Sequence, residues 1–289
     1  MWLHASSVAA APDGFAATAA ASSGGDVETG FWLKWLRSEG RRPSQYPNHA
    51  DFLERTAENA ALPDYLCDLM RACAPPSQRP LRVLDSGAGP LSSLGTHCGG
   101  VRVELFPIDV LAPSYDGVLD QVKLTPRTRT RFCPVEQIDR CFAPAWFDLA
   151  TSFNALDHAQ DPIRGLMQLT NAVRPGCAVA LVQKANESNR QRGVGMHQWN
   201  LFPQDGRLCI QRGRQSNATC VGQGSPIPGV PALPHVAIDL PTTSVGVGFW
   251  DCAGEENALA SDKLIQPVVL ISSPASPVVC DRWNKHRHA

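Results

Sequence analysis

The run Val83, Leu84, Asp85, Ser86, Gly87, Ala88, Gly89 is the most specific chemical signal in the chain. Two glycines directly after an apolar stretch let a ligand approach the backbone closely. Asp85, just ahead of them, puts a carboxylate where a cationic or hydroxyl-bearing ligand would lie. Dinucleotide sites want a third glycine for close helix packing and a helix N-terminus left free for pyrophosphate. Here that third position is Ser92, and a carboxylate at Asp85 suits a diphosphate badly. Asp109 lies twenty positions past Gly89, where an open α/β sheet places an acid that accepts from ribose hydroxyls. Two acids and two glycines therefore describe a pocket for a nucleoside bearing positive charge. Further along, Asp157 and His158 are adjacent, and His197, Trp199 and Asn200 fall within five residues. An imidazole titrates near working pH, so His158 or His197 could take a proton from an acceptor. Asp157 could equally cap a helical turn that carries His158, and Trp199 could be packing rather than a platform for a substrate.

Alternating elements must position these groups. Leu81 to Leu84 reads as a short strand entering the glycine turn, and Pro90 suits the first position of a following helix. Val101, Val103 and Leu105 alternate as a second strand that reaches Asp109. Phe147 to Phe153 is another strand. Asp161 is an N-cap with Pro162 at N1, and Ile163, Leu166, Met167 and Thr170 continue that helix. Arg174-Pro-Gly176 breaks it, and Ala178 to Val182 is an uninterrupted apolar strand of the buried parallel kind. This alternation predicts an α/β fold, a doubly wound, mostly parallel seven-stranded-type sheet with helices on both faces. Ahead of it, residues 1–30 read as a flexible Ala/Ser/Gly-rich tail and 31–76 as a helical lid. Within that lid, Phe31, Trp32, Trp35 and Leu36 share one face, and two more helices are expected over 51–61 and 64–74. The main domain spans 77–280. Residues 186–206 read as a loop or lid, and strands near 208–210, 218–221, 235–240 and 267–271 form a β-rich extension. Residues 281–289 are a basic tail.

Composition narrows the function classes. The 289 residues are 43% hydrophobic and 18% charged, with 26 Lys+Arg against 27 Asp+Glu. That balance gives no electrostatic footprint for nucleic acid and no polybasic patch for a membrane surface. Apolar runs fall well short of the ~20 residues that span a bilayer. The ten cysteines are spread along the chain without a CxxC pair or zinc spacing. They are expected to be small buried hydrophobes in a reducing compartment, so no metal is expected and the cytoplasm is the default location. Asn186-Glu-Ser188 and Asn217-Ala-Thr219 match a glycosylation triplet, a pattern that matters only after secretion.

From about Leu62 to Val182, the motifs resemble those of the class I, Rossmann-like S-adenosylmethionine-dependent methyltransferases. Asp85 to Gly89 resembles the family's first motif, which implies that Asp85, Ser86, Gly87, Ala88 and Gly89 line the methionine end of the cofactor. Asp109, with Val110 beside it, matches the acid that holds the ribose. Cys133-Pro-Val-Glu136 is similar to the stretch flanking adenine, which assigns Val135 and Glu136. The run Phe147 to His158 resembles the fourth strand and its turn, where Asn154 would face the sulfonium. Arg174-Pro-Gly176 looks like the turn into the fifth strand. Leu91 departs from the pattern by replacing a frequent third glycine.

The resemblance implies S-adenosyl-L-methionine as cofactor and a methyl group moved to an O, N or S nucleophile of a small-molecule acceptor. His158, His197 and Asp157 would be catalytic, and Trp199 and Asn200 would touch the acceptor. No nucleic-acid or membrane partner is expected. Two rivals share the fold: a nicotinamide-dependent oxidoreductase, and a non-catalytic cofactor-binding or interaction protein.

Overall fold

The computed structural model describes residues 23–42, 47–73, 79–204, 207–214, 217–221, 236–239, 249–250 and 266–272. The expected tail up to residue 22, residues 222–234 between the strands expected near 218–221 and 235–240, and the basic tail 281–289 lie outside them. The first half holds α1 (Ser23–Arg37), α2 (His49–Thr56), α3 (Asp64–Cys73), β1 (Leu81–Ser86), β2 (His97–Cys98), β3 (Val101–Asp109), α4 (Ala112–Val122) and β4 (Arg131–Phe132). After a 3₁₀ turn (Val135–Gln137) come α5 (Ile138–Cys141), β5 (Phe147–Phe153), a second 3₁₀ turn (Leu156–His158), α6 (Pro162–Ala172) and β6 (Val173–Val182). The remainder is α7 (Glu187–Arg190), β7 (Trp199–Gln204), β8 (Arg207–Arg212), β9 (Thr219–Val221), β10 (Val236–Asp239), β11 (Phe249–Trp250) and β12 (Gln266–Ser272).

The main sheet runs β10-β12-β6-β5-β1-β3-β2, with β4 also on β3 and β11 on β12. Strands β4, β3, β1, β5 and β6 are parallel, whereas β12 and β10 pair antiparallel at one edge. From β1 the chain moves outward to β3 and β4, then returns to the other side of β1 with β5 and β6. The order reverses between β1 and β5, the switch point where open α/β sheets bind ligands at the carboxyl ends of their strands. Strands β7, β8 and β9 form a separate antiparallel sheet.

Alternation along the strands divides the core. Val83, Leu149, Ala180 and Val182 pack with Leu66, Leu69 and Met70 of α3. Their neighbours Leu84, Ala150, Val179 and Leu181 pack with Leu166 and Leu169 of α6 and with Leu201, Leu208 and Ile210 of the small sheet. The period of two thus serves helices on both faces. A third cluster joins Trp32, Trp35 and Leu36 of α1 to Leu91, Leu111, Tyr115 and Leu119. Asp161 caps α6 by accepting from the Arg164 N–H, with Pro162 next to it, as its sequence predicts.

Five expectations change. Residues 186–206, read as a loop or lid, contain α7 and β7, because β7 pairs with β8 in the small sheet. Residues 23–30, expected in the tail, belong to α1, which starts at Ser23; Trp32 and Trp35, buried against α4, hold the helix down. Helix α3 belongs to the sheet's own core, which leaves α1 and α2 as the cover. No helix follows Gly89: residues 90–96 form bends and irregular backbone. Their carbonyls are taken by guanidinium groups, since Arg55 donates to the Leu91 oxygen and Arg127 to those of Ser92 and Leu94. A helix would need those acceptors for its own ladder. Lastly, the cysteines are not all free. Cys67–Cys98, Cys133–Cys141 and Cys209–Cys220 are disulfides, and Cys177 is disulfide-bonded too. Even spacing in sequence hid partners that strand pairing brings together, as with Cys209 and Cys220 opposite each other on β8 and β9. Disulfides belong to oxidising compartments, so the cysteines give no support to a cytoplasmic location. Among the described residues, no helix is long and apolar enough to cross a membrane.

Candidate functional site

The glycine loop is built from the backbone outward. The N–H groups of Gly87 and Ala88 both donate to the Ile108 carbonyl, at 2.8 and 3.1 Å, which ties the end of β1 to the end of β3. Gly87 and Gly89 have φ of 73° and 66°, the left-handed region that favours glycine. A Cβ at position 87 would stand 2.1 Å from that of Ala155, so the loop cannot carry a side chain there without displacing the turn after β5. Ser86 and Ala88 are buried at either side of this turn.

Asp109 fastens the loop. Its Oδ2 accepts from the Gly89 N–H at 3.1 Å and its Oδ1 from the Leu111 N–H at 2.8 Å. Burial pushes its carboxyl up to about 6, against these two donors and the His158 charge. Each oxygen keeps a further lone pair for a ligand hydroxyl. Thr130 donates to the Gly89 carbonyl at 2.7 Å. Asp85 faces inward: its carboxylate accepts from the hydroxyls of Ser92 at 2.6 Å and Thr151 at 2.9 Å, and it is only 3% exposed. Burial raises its pKa as well. Asp85 therefore braces the loop from beneath rather than presenting a charge on its surface.

Helix α1 covers this region. The Trp32 ring lies where a Cβ on Gly89 would reach it at 3.0 Å, and its indole N–H donates to Glu28 at 2.9 Å. Val110 packs in the same α1 cluster. Sequence reasoning gave Trp32 to a cover, but it missed Thr130, Ser92 and Thr151. No local signal marks them: Thr130 lies where no strand is predicted, Thr151 sits inside the strand 147–153, and Ser92 falls in the expected helix after Pro90.

The expected adenine flank is committed locally. Glu136 accepts from the N–H groups of Gln160 and Asp161, at 2.7 and 3.1 Å, at the start of α6. Val135 packs against Gly165 of that helix. Asn154, at φ 51°, accepts from the Lys184 N–H at 3.2 Å, and its own N–H donates to the Val182 carbonyl. Its side chain joins the ends of β5 and β6.

The three proposed catalytic residues do meet. Asp157 is fully buried, and its Oδ2 lies 2.7 Å from His197 Nδ1. His158 Nε2 lies 3.0 Å from that same His197 nitrogen and 3.8 Å from the Asp157 oxygen. The two rings meet edge to face at 4.4 Å. Gln183, the residue after β6, donates to the other Asp157 oxygen at 2.8 Å. Sequence reasoning did not single out Gln183, although its place directly after an apolar strand marks the ligand edge. Burial opposes the Asp157 charge, but His158, the His197 hydrogen bond and Gln183 together hold its pKa below the usual carboxylate value. For His197, burial acts downward, and the Asp157 hydrogen bond and charge outweigh it to raise the pKa.

The two expected acceptor contacts serve the small sheet. The Trp199 indole donates to the Ala159 carbonyl at 2.8 Å, and Arg212 lies over its ring. Asn200 is fully buried, accepts from the Asn189 N–H and donates to the Gly213 carbonyl. With both ends of its amide bonded, Asn200 fixes the stretch from α7 to β8 and turns no polar atom to an acceptor.

No protein-family model matches the chain, and no curated protein matches its sequence. Solved structures similar to it include methyltransferases. One is a complex of the Haloferax volcanii Trm112 methyltransferase activator with a putative methyltransferase, at 12% identity over 86% of this chain and 97% of that one, TM-score 0.41. Another is an arsenic(III) S-adenosylmethionine methyltransferase from Chlamydomonas reinhardtii, at 19% identity over 43% of this chain and 46% of that one, TM-score 0.29. A third is Haemonchus contortus phosphoethanolamine N-methyltransferase 2 with S-adenosyl-L-methionine, at 15% identity over 52% and 36%, TM-score 0.31. The chain spans only about a third to a half of the length of the latter two. At these scores the likenesses carry no argument about chemistry, which rests on the residues.

Proposed function

We propose that this protein is an S-adenosyl-L-methionine-dependent methyltransferase acting on the O, N or S nucleophile of a small molecule. One observation carries the reading: at the switch point of the sheet, a left-handed glycine turn is fastened to Asp109, whose carboxylate retains lone pairs for ribose hydroxyls. When bound, the cofactor supplies a methyl group on a cationic sulfur. Gly87 to Gly89 would let it lie against the backbone, Asp109 would hold its ribose, and α1 with Trp32 would exclude water. Asn154 joins the strand ends between this loop and the second cluster. There, Asp157, His158 and His197 would prepare the acceptor's nucleophile. If the acceptor arrives protonated, an imidazole backed by a buried carboxylate can take the proton.

Calorimetric titration of the full chain with S-adenosylmethionine, S-adenosylhomocysteine, NADH and NADPH tests this reading. Saturable micromolar binding of the two sulfur ligands alone is expected. Binding of a nicotinamide cofactor instead would overturn it and favour an oxidoreductase.

A further inference from the structure

Three ligand atoms, Asp157 Oδ2, His158 Nε2 and His197 Nδ1, converge on one another within 4.8 Å at the carboxyl ends of β5 and β6. As a purely protonic network this arrangement is awkward. His197 Nδ1 faces both the Asp157 oxygen and the His158 nitrogen, yet a ring nitrogen carries one hydrogen or one lone pair, never both. If it donates to Asp157, the His158 nitrogen meets the side of an N–H already in use. If it accepts from His158, the carboxylate faces a lone pair. A single cation at the centre would satisfy all three atoms together.

The dimensions agree. With metal–nitrogen and metal–oxygen bonds of about 2.0–2.1 Å, neighbouring ligand atoms stand about 2.9 Å apart at right angles and about 3.3 Å apart at tetrahedral ones. The three edges here, 2.7, 3.0 and 3.8 Å, straddle those values. Gln183 holds the other carboxylate oxygen and so aims Oδ2 alone at the imidazoles, the outer-shell support that metal sites use. A second, independent observation points the same way. Gln183 Oε1 and Glu187 Oε2 are buried with no hydrogen-bond donor among the described residues, and both residues are at least 97% buried. Gln183 touches the cluster directly, and the Glu187 charge acts on His197. Two buried acceptors beside the cluster thus have lone pairs that no donor among the described residues satisfies.

We infer that Asp157, His158 and His197 form a site for a divalent transition-metal ion. Two histidines and one carboxylate suit zinc, iron(II), cobalt(II) or manganese(II), and three protein ligands leave coordination positions open. This deepens the reading given under Proposed function and rests on it for its purpose. An acceptor oxygen or nitrogen in an open position would lose its proton more easily, to solvent water, and so become a better nucleophile; in the ion-loaded protein His158 and His197 would serve through the ion, and the direct base role given above would apply only to the ion-free one. The ion binding itself needs neither cofactor nor acceptor.

The test uses the full chain, stripped with chelator and kept with its disulfides intact, and titrated with Co²⁺ and Zn²⁺ by calorimetry and visible absorption. One ion per chain is expected, with cobalt bands of a low-symmetry nitrogen/oxygen site. His158→Ala and His197→Ala should each weaken binding at least tenfold, while His49→Ala leaves it unchanged. X-ray absorption on the zinc-loaded wild-type chain covers the case in which a variant fails to fold: two imidazoles and no sulfur are expected. Absence of saturable binding, sulfur in the coordination shell, or binding indifferent to both histidines would overturn the inference. Titration of the stripped chain with S-adenosylmethionine is read separately, so loss of the metal site and loss of the methyltransferase reading give different results.

Discussion

Two carboxylate clusters stand at the same edge of the sheet, and their partners differ in kind. Around the glycine loop, Asp85 and Asp109 accept only from fixed donors: two hydroxyls for the first, two backbone N–H groups for the second. Their pKa values are raised, because burial outweighs these neutral donors together with the charges of Arg55 on Asp85 and His158 on Asp109. Across the sheet, Asp157 faces two imidazoles, and its pKa is lowered although its burial is complete. The first arrangement holds a shape. The second holds an exchangeable charge, either a proton or an ion. A turn that must fit a ligand's outline needs donors that do not titrate, whereas a group that prepares a nucleophile needs partners that do.

The largest expected effect separates the clusters most sharply. His197→Ala should lower turnover by about 10²–10⁴, the usual range for a positioned acid–base group, and leave S-adenosylmethionine affinity within about twofold. Kinetics with a responsive acceptor, alongside calorimetry, would check it. Equal losses in turnover and cofactor affinity would mean that the two clusters are one site. Next in size, Asp109→Ala should weaken cofactor binding by about 1.5–3 kcal/mol, the loss typical of hydrogen bonds to a charged group. Because Asp109 also fastens Gly89, Asp109→Asn should recover part of that loss by keeping an acceptor on the loop. Unchanged affinity in both variants would remove Asp109 from the ribose site.

Much of this contrast was legible in the sequence. Hydrophobic alternation and the Asp161-Pro162 cap marked β1, β3, β5, β6 and α6, and the twenty-residue interval placed Asp109 at the end of β3. Asp157, His158 and His197 were all named from residue type and strand-end position. Their contact was not foreseen, because it joins the turn after β5 to the entry of β7 across about forty residues, and no local pattern encodes such a meeting. The missing helix after Gly89 has the same origin. Pro90 is locally favourable for a helix start, but Arg55 and Arg127 arrive from distant segments and capture the carbonyls. Trp199 and Asn200 show the converse: residue types suited to a ligand were taken up by backbone groups flanking their small sheet, at Ala159 after the second 3₁₀ turn, Asn189 in α7 and Gly213 just past β8.

The smallest effect is the pH dependence of cofactor binding, and it bears on Asp109 alone. In the folded chain its pKa is about 6, against 3.8 for an ordinary aspartate. The raised value means that the folded protein holds this proton more tightly than the unfolded chain. Its contribution to stability is therefore fully present below pH 3.8 and is lost as the pH rises through 6. Ribose hydroxyls need the opposite form, since only the carboxylate offers all its lone pairs. Affinity for S-adenosylmethionine should thus rise from pH 5 to pH 7 by up to about tenfold per unit below the pKa, while the unliganded protein gains no stability from Asp109 over that interval. Asp109→Asn cannot titrate and should flatten the affinity profile through pH 6. A wild-type profile already flat there would show that the protonated acid serves the ligand equally well, and the glycine loop would then owe its affinity to shape alone.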